Sequence, residues 1–372
     1  MPQNASHIDE PKKEHPIIRN FAPGWYASVM GTAVLVLDFF VFRDFIPFSD
    51  FWQLFFLALS VIMFVLITIP WTLRWILYFD AVRTDLKHPV TAAFFPTMPI
   101  SLIIIGLALE KAGPLFMSHE TVYAIVQVLW ILGTIGIGFF AMLTLITFFL
   151  NDDIEWKNAN LGWLIPPVSA LIVPVLGSGL AVHYANTPMG TVNILTSLIF
   201  LGIGGFLYLF VTATVFSRFI FHELPPSHLT PTVWIGIAPP AILTILAIKI
   251  VQPLILLFAA SDSVAQVLSI LAKTAAVSFW GFAFFWLILA IVFTLLQHQR
   301  ARLSFATSWW AFTFPLGSFV VATGVVYAAL HASFFAVVGL TSLVMFLIIW
   351  VTVSIITLRK VRSGAIFQKH GG

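Results

Sequence analysis

Ten long apolar runs constrain this sequence more than any other feature. A bilayer core is about 30 Å thick, so about 20 apolar residues of α-helix are needed to cross it. The runs are continuous and lack the alternation of barrel strands of about ten residues, so they predict helices. They cover residues 23–42, 51–73, 91–109, 121–150, 163–183, 190–221, 232–252, 264–297, 309–330 and 334–358. We predict an all-α integral membrane protein with ten transmembrane helices.

The composition agrees with a membrane protein and excludes most soluble classes. Hydrophobic residues make up 60% of the chain and charged residues 9%, whereas soluble domains are about 25% charged. We therefore expect a lipid bilayer as partner, and neither a soluble enzyme nor a nucleic-acid binder. The chain has no cysteine, which excludes disulfides and thiolate chemistry. A polar segment precedes the first apolar run, so we expect no cleavable signal peptide.

The basic residues indicate how the chain is oriented. Fourteen of the 18 Lys and Arg residues fall on one side of the predicted topology, which the positive-inside rule assigns to the cytoplasm. We expect a protein of the plasma (inner) membrane with a cytoplasmic N-terminal tail (1–22), a transmembrane pore domain (23–358) and a cytoplasmic C-terminal tail (359–372). The residues on this side are Lys12, Lys13, Arg19, Arg74, Arg83, Lys87, Lys157, Arg218, Arg300, Arg302, Arg359, Lys360, Arg362 and Lys369.

One proline in each odd-numbered span recurs at a nearly constant interval. Pro23, Pro96, Pro167, Pro239 and Pro315 are separated by 73, 71, 72 and 76 residues. Proline kinks a helix by removing a backbone donor, and in lipid the freed carbonyl needs protein or water beside it. The pattern predicts five parallel helix hairpins around a quasi-five-fold central pore, with odd helices inside and even helices outside. The alternative is that any ten helices of similar length produce such spacing.

Several short motifs resemble one family of membrane transporters. They are Ala22-Pro23-Gly24-Trp25-Tyr26 with Met30-Gly31-Thr32, His88-Pro89, Pro166-Pro167, Pro239-Pro240 and Trp309-Trp310-Ala311-Phe312-Thr313-Phe314-Pro315. From about residue 15 to 359 the chain resembles the tellurite-resistance/dicarboxylate transporter family. That family includes bacterial TehA-like proteins, fungal malate and sulfite permeases and plant slow-type anion channels. Ala33 departs from the pattern, since the family often has a second glycine there.

The resemblance implies a function and a gate. It implies passage of small anions, such as chloride, nitrate, sulfite or C4-dicarboxylates like malate, through inner helices that line a pore. It also implies a homotrimer with one pore in each protomer, and a phenylalanine that closes the pore. By motif position that residue is Phe314. A hydrophobic ring in a narrow pore blocks ions because it leaves their hydration water no partners. We expect no cofactor and no metal.

Small or kinked positions of the inner spans are the candidate pore lining. None of them is charged, and a pore without a fixed cation binds anions weakly and passes them quickly. Each glycine among them has an alternative interpretation as a site of close helix packing. The candidates are Gly31, Pro96, Pro99, Pro167, Gly177, Gly236, Pro239, Pro315 and Gly317.

Three charged residues within the spans are further candidates. Lys249 and Lys273 lie toward the outer ends of spans 7 and 8, where they either form a funnel that concentrates anions or extend to the headgroups. Asp38 could couple transport to protons, because acids inside membranes usually have a function. Its nearness in sequence to Arg43 favours instead an acid at the membrane interface.

Two transport mechanisms remain as alternatives, and the sequence gives little support for a third possibility, a membrane enzyme or haem carrier. A gated channel with passive flow fits the uncharged inner spans, and the alternative is a proton-coupled carrier of C4-dicarboxylates or sulfite. A membrane enzyme or haem carrier would need histidines inside the spans, but the ten histidines fall in loops, tails or span ends. His222 and His228 are six residues apart, rather than the four of a zinc-protease helix. We therefore do not expect an enzyme.

Overall fold

The computed structural model describes residues 15–152, 154–223, 226–300, 303 and 305–367. Within these ranges the chain is mostly helical and contains no strand. Among the described residues, ten helices are long and apolar enough to cross a membrane, so the predicted all-α membrane architecture is confirmed. The helices are α1 (Pro23–Val41), α2 (Ser49–Leu77), α3 (Ala92–Leu115), α4 (His119–Phe149), α5 (Leu161–His183), α6 (Pro188–Phe221), α7 (Leu229–Lys249), α8 (Asp262–Arg300), α9 (Thr307–Leu330) and α10 (Ser333–Arg362).

Both ends of the described chain lie at the same face of the helix bundle. Asn20 Nδ2 donates a hydrogen bond of 2.9 Å to the Phe367 carbonyl oxygen, and the Phe367 ring stacks on Phe21 and Trp25. We name this side the terminal face and the other side the distal face. Odd-numbered helices run from the terminal to the distal face. Four basic residues used for orientation lie outside the described residues: Lys12, Lys13, Arg302 and Lys369.

Burial separates the helices into two layers. In the odd-numbered helices 72–89% of the most apolar stretch is buried, against 22–39% in the even-numbered helices. The odd helices contact one another in a closed ring, in the order α1, α3, α5, α7, α9 and back to α1. Each odd helix also packs against the even helix that follows it. The predicted inner and outer arrangement of five hairpins agrees with these contacts.

Each inner helix changes type near its beginning. All five open with a 3₁₀ segment at the terminal face and continue as α-helix. Pro96, Pro167, Pro239 and Pro315 lie at the N-cap or in the first turn of the α-helical part. There the missing N–H has no intrahelical partner to lose. These four prolines therefore mark the point within each span where the 3₁₀ segment gives way to α-helix.

Tryptophan side chains of the outer helices fasten the two layers together. Their indole N–H groups donate hydrogen bonds of 2.9–3.0 Å to acceptors on inner helices. In an apolar medium such bonds also satisfy the polar part of the ring. The pairs are Trp130 with the Val173 carbonyl, Trp286 with the Val233 carbonyl, Trp280 with Thr323 Oγ1 and Trp350 with Thr32 Oγ1.

Candidate functional site

Two cavities lie inside the inner ring, and all five odd helices line each of them. The distal cavity has a volume of about 170 Å³ and the proximal cavity, nearer the terminal face, about 30 Å³. The distal cavity is lined by Val34, Leu37, Phe40, Val41, Ile104, Leu107, Lys111, Ile172, Val175, Ile242, Ile245, Lys249, Phe314, Ser318, Val321 and Val325. The proximal cavity is lined by Ala27, Met30, Phe94, Thr97, Ile100, Ile165, Val168, Ile235, Ala238, Trp310, Ala311, Phe314 and Pro315.

Phe314 separates the two cavities. Among the described residues it alone lines both of them, and it is only 5% exposed. Its position follows from the first turn of the α-helical part of α9. Thr313 Oγ1 donates to the Trp310 carbonyl at 2.7 Å, and Ser318 Oγ donates to the Phe314 carbonyl at 2.9 Å. The ring therefore stands on a fixed backbone between the two cavities.

Gly31 allows α1 to approach α9 closely at this level. A Cβ atom at position 31 would overlap the side chain of Thr313, directly before Phe314. Gly31 is thus a packing residue beside the proposed gate, and it is not among the residues that line the cavities.

A second aromatic ring lies closer to the terminal face. Phe94 lines the proximal cavity and also a vestibule of about 280 Å³ that contains His88, Thr91 and Ser308. Its ring lies 3.3 Å from a Cβ placed on Gly24 and 3.6 Å from one placed on Gly162. Two phenylalanines thus separate three cavities. Phe94 was not among the residues predicted from sequence, although it lies just ahead of the Pro96 junction.

The other glycines predicted to line the pore pack between helices instead. Branched aliphatic side chains form most of the wall of the distal cavity. The glycines leave room for side chains of neighbouring helices, as their alternative interpretation required. A Cβ would meet Ser197 and Trp130 at Gly177, Trp286 at Gly236, and Val34 and Phe346 at Gly317.

Among the predicted prolines, Pro315 lines the proximal cavity. Pro99 instead faces the outer helix α4, where its ring lies 2.8 Å from a Cβ placed on Gly136. Pro96, Pro167 and Pro239 are buried but are not among the lining residues of the three cavities. These three rings are buried at the beginning of the α-helical parts of α3, α5 and α7.

Two lysines line the distal cavity, and only one of them was predicted. Lys249 lines it, whereas Lys273 is exposed on the outer helix α8 and is not a lining residue. Lys111, which sequence reasoning placed in a loop, joins Lys249 because α3 extends to Leu115. Lys111 Nζ donates to Glu110 Oε1 at 2.9 Å.

Asp38 lies in the last turn of α1, inside the helix bundle. Its side chain is completely buried, and neither carboxylate oxygen has a hydrogen-bond partner among the described residues. Arg43, just beyond the end of α1, places its Nε atom 3.9 Å from Asp44 Oδ1, and both of these side chains are exposed. An interfacial position for Asp38 stays a prediction, but its side chain faces the interior of the bundle and not the solvent. Asp38 is not among the residues that line the two cavities.

Comparison with known proteins identifies the family that the sequence motifs resembled. The family model for SLAC1, the voltage-dependent anion channel, matches residues 20–358. An uncharacterized transporter of Methanocaldococcus jannaschii is 33% identical over 356 residues, covering 95% of this chain and 97% of the relative.

Two fungal transporters are more distant relatives. The sulfite efflux pump SSU1 of Arthroderma benhamiae is 24% identical, covering 94% of this chain and 93% of the pump. The malic acid transport protein of Schizosaccharomyces pombe is also 24% identical, covering 82% of this chain and 70% of the relative. With ten transmembrane helices and a family match over nearly its whole length, the chain belongs to the SLAC1 voltage-dependent anion channel family.

Proposed function

We propose that this protein is an anion channel whose conduit follows the axis of the inner ring and is closed by Phe314. The observation that carries the proposal is the position of Phe314 between two cavities that all five inner helices line. An apolar ring at a constriction leaves a passing ion without hydration partners. Displacing that ring would join the cavities into one path.

The walls of the distal cavity support passive conduction of small anions. Of the residues that the structure describes, no acidic one lines this cavity, and two lysines lie at its distal end. Aliphatic walls bind an anion weakly, which favours fast passage. Chloride, nitrate, sulfite and malate are the candidate substrates, and the names of the fungal relatives support the last two.

Asp38 favours a second candidate function, a proton-coupled carrier of sulfite or C4-dicarboxylates. A carboxyl group buried in a membrane protein without a hydrogen-bond partner is costly to keep ionised. Asp38 has no such partner among the described residues, and such a group is suited to binding and releasing a proton.

The first experiment measures anion flux in proteoliposomes with a panel of chloride, nitrate, sulfite and malate. Phe314→Ala should raise the flux of at least one anion by tenfold or more, because about 1.4 kcal/mol removed from a barrier corresponds to tenfold in rate. Phe206→Ala is the matched control, since Phe206 is exposed on the outer helix α6. Equal flux in the wild type and a folded Phe314→Ala variant would contradict the gate.

The second experiment separates the two mechanisms. For a channel, the reversal potential of Phe314→Ala should follow the imposed anion gradient and ignore a proton gradient. For a carrier that works through Asp38, the proton gradient should drive uptake and Asp38→Asn should abolish that dependence. Proton-driven uptake that persists in Asp38→Asn would exclude this role for Asp38.

Assembly and orientation complete the proposal. We expect a homotrimer in the plasma (inner) membrane with both termini in the cytoplasm. Because the chain has no cysteine, single cysteines can be introduced at Ser363, which is exposed at the terminal face, and at Ser261, which is exposed beyond α7. A membrane-impermeant thiol reagent added outside cells should label Ser261→Cys and spare Ser363→Cys. Mass determination of the purified protein tests the trimer.

A further inference from the structure

Three charged side chains lie together at the distal end of the conduit. Lys111 and Lys249 line the distal cavity, and Glu110 forms an ion pair with Lys111 at 2.9 Å. Glu110 also interacts electrostatically with Lys249. We name Glu110, Lys111 and Lys249 the entrance triad. With two cations and one anion, it carries one positive charge in excess.

Packing fixes the acidic member of the triad in place. The Glu110 side chain is only 5% exposed, and its Oε1 lies 3.0 Å from a Cβ placed on Gly179 of α5. Its Oε2 has no hydrogen-bond partner among the described residues. Lys111 also makes a cation–π contact with Phe40, in which Nζ lies 5.3 Å from the centre of the ring. Glu110 therefore stays beside the lysines as a resident counter-ion.

We infer that the entrance triad is a binding site for one small monovalent anion, and that Glu110 sets this valence. The inference rests on the proposed function and names the substrate class of the same conduit. Chloride and nitrate belong to this class. The inference thus narrows the candidate substrates, because dianions such as malate and sulfate are discriminated against.

The physical reason is the different dependence of two energies on ionic charge. The cost of moving an ion from water into a low-dielectric cavity grows with the square of its charge. Its attraction to a fixed charge grows only in proportion to its charge. A site with one excess positive charge therefore favours a monovalent anion, and a site with two would favour a dianion more strongly. Glu110 lowers the fixed charge from two to one.

The test compares permeability ratios of chloride and sulfate from reversal potentials in the Phe314→Ala background. Adding Glu110→Gln should raise the sulfate-to-chloride ratio about tenfold, because one more unit of fixed charge acts on the dianion at short range. Adding Lys111→Gln as well returns the excess charge to one and should restore the original ratio. Lys273→Gln is the control, since it removes an exposed lysine outside the triad.

An unchanged ratio in folded Glu110→Gln would overturn the inference, and so would a change that Lys111→Gln fails to reverse. If Phe314→Ala conducts no anion, the proposed function fails, and a binding measurement still decides about the triad. Chlorine NMR line broadening of the detergent-purified protein should report chloride binding that sulfate displaces poorly from the wild type and readily from Glu110→Gln. Chloride binding that persists in Lys249→Gln, or equal displacement by sulfate from both proteins, would contradict the site.

Discussion

Ser318 Oγ donates a hydrogen bond of 2.9 Å to the backbone carbonyl oxygen of Phe314, one turn earlier in α9. Ser318, which thus bonds to the backbone of the proposed gate residue, also lines the distal cavity. Among the described residues, Ser318 is the only uncharged polar residue that lines that cavity. Its single hydroxyl proton is donated to the Phe314 carbonyl, so Ser318 can donate to an anion leaving the gate only by turning away from that carbonyl.

Ser318→Ala should lower anion conductance about threefold to tenfold in the Phe314→Ala background. The hydroxyl exchanges its bond to the Phe314 carbonyl, worth about 1 kcal/mol, for a bond to the passing ion, worth about 1.5–3 kcal/mol, so the net loss is about 1 kcal/mol. Ser169→Ala is the matched control, because Ser169 is buried on α5, bonds to the Pro166 carbonyl and does not line the cavity. Current recordings in planar bilayers check this, and equal losses from both variants would indicate a general packing defect.

Gly236→Ala should destabilise the protein by about 2 kcal/mol, because the new methyl group would overlap the indole of Trp286 and force the helices apart. Gly281→Ala, on the outer helix α8, meets no atom within 4 Å and should be neutral or slightly stabilising, since alanine favours helix. Thermal unfolding in detergent compares the two variants. If Gly236→Ala is as stable as Gly281→Ala, close packing is not the role of Gly236.

Asp85→Asn should lower the free energy of unfolding of the protein by about 2 kcal/mol. Arg74 Nη2 lies 2.6 Å from Asp85 Oδ2, and the Arg74 side chain is buried. Removing one partner of a largely buried ion pair leaves the other charge uncompensated. Asp44→Asn is the control, because the Arg43–Asp44 pair is exposed and exposed pairs contribute little. Unfolding in denaturant measures both, and equal stabilities would contradict a structural role for the Arg74–Asp85 pair.

The sequence was most informative about features with a long repeat. Ten apolar runs predicted the helices, and the spacing of five prolines predicted which helices lie inside. Both signals follow from the thickness of the bilayer and from the backbone chemistry of proline, which act on every hairpin alike. The position of Phe314 came from a family motif, since nothing in the composition distinguishes it from 37 other phenylalanines.

Side-chain direction could not be predicted. Helices α1, α3, α5, α7 and α9 are apolar on all sides, so no stripe in the sequence indicates whether Gly177 faces the axis or a neighbouring helix. Helix ends were also placed too early or too late by a few residues. One such shift moved Lys111 from a loop into the distal cavity. Asp38 is buried because its side chain points into the bundle, since the end of its helix was predicted to within one residue.

Cysteine accessibility at the proposed gate tests the central claim most directly. In the cysteine-free chain, Phe314→Cys should open a current in planar bilayers, and a negatively charged methanethiosulfonate reagent should then abolish it by placing a fixed negative charge in the conduit. Phe206→Cys should give no current and show no effect of the reagent. A current through Phe314→Cys that the reagent leaves unchanged would contradict a path for anions past Phe314.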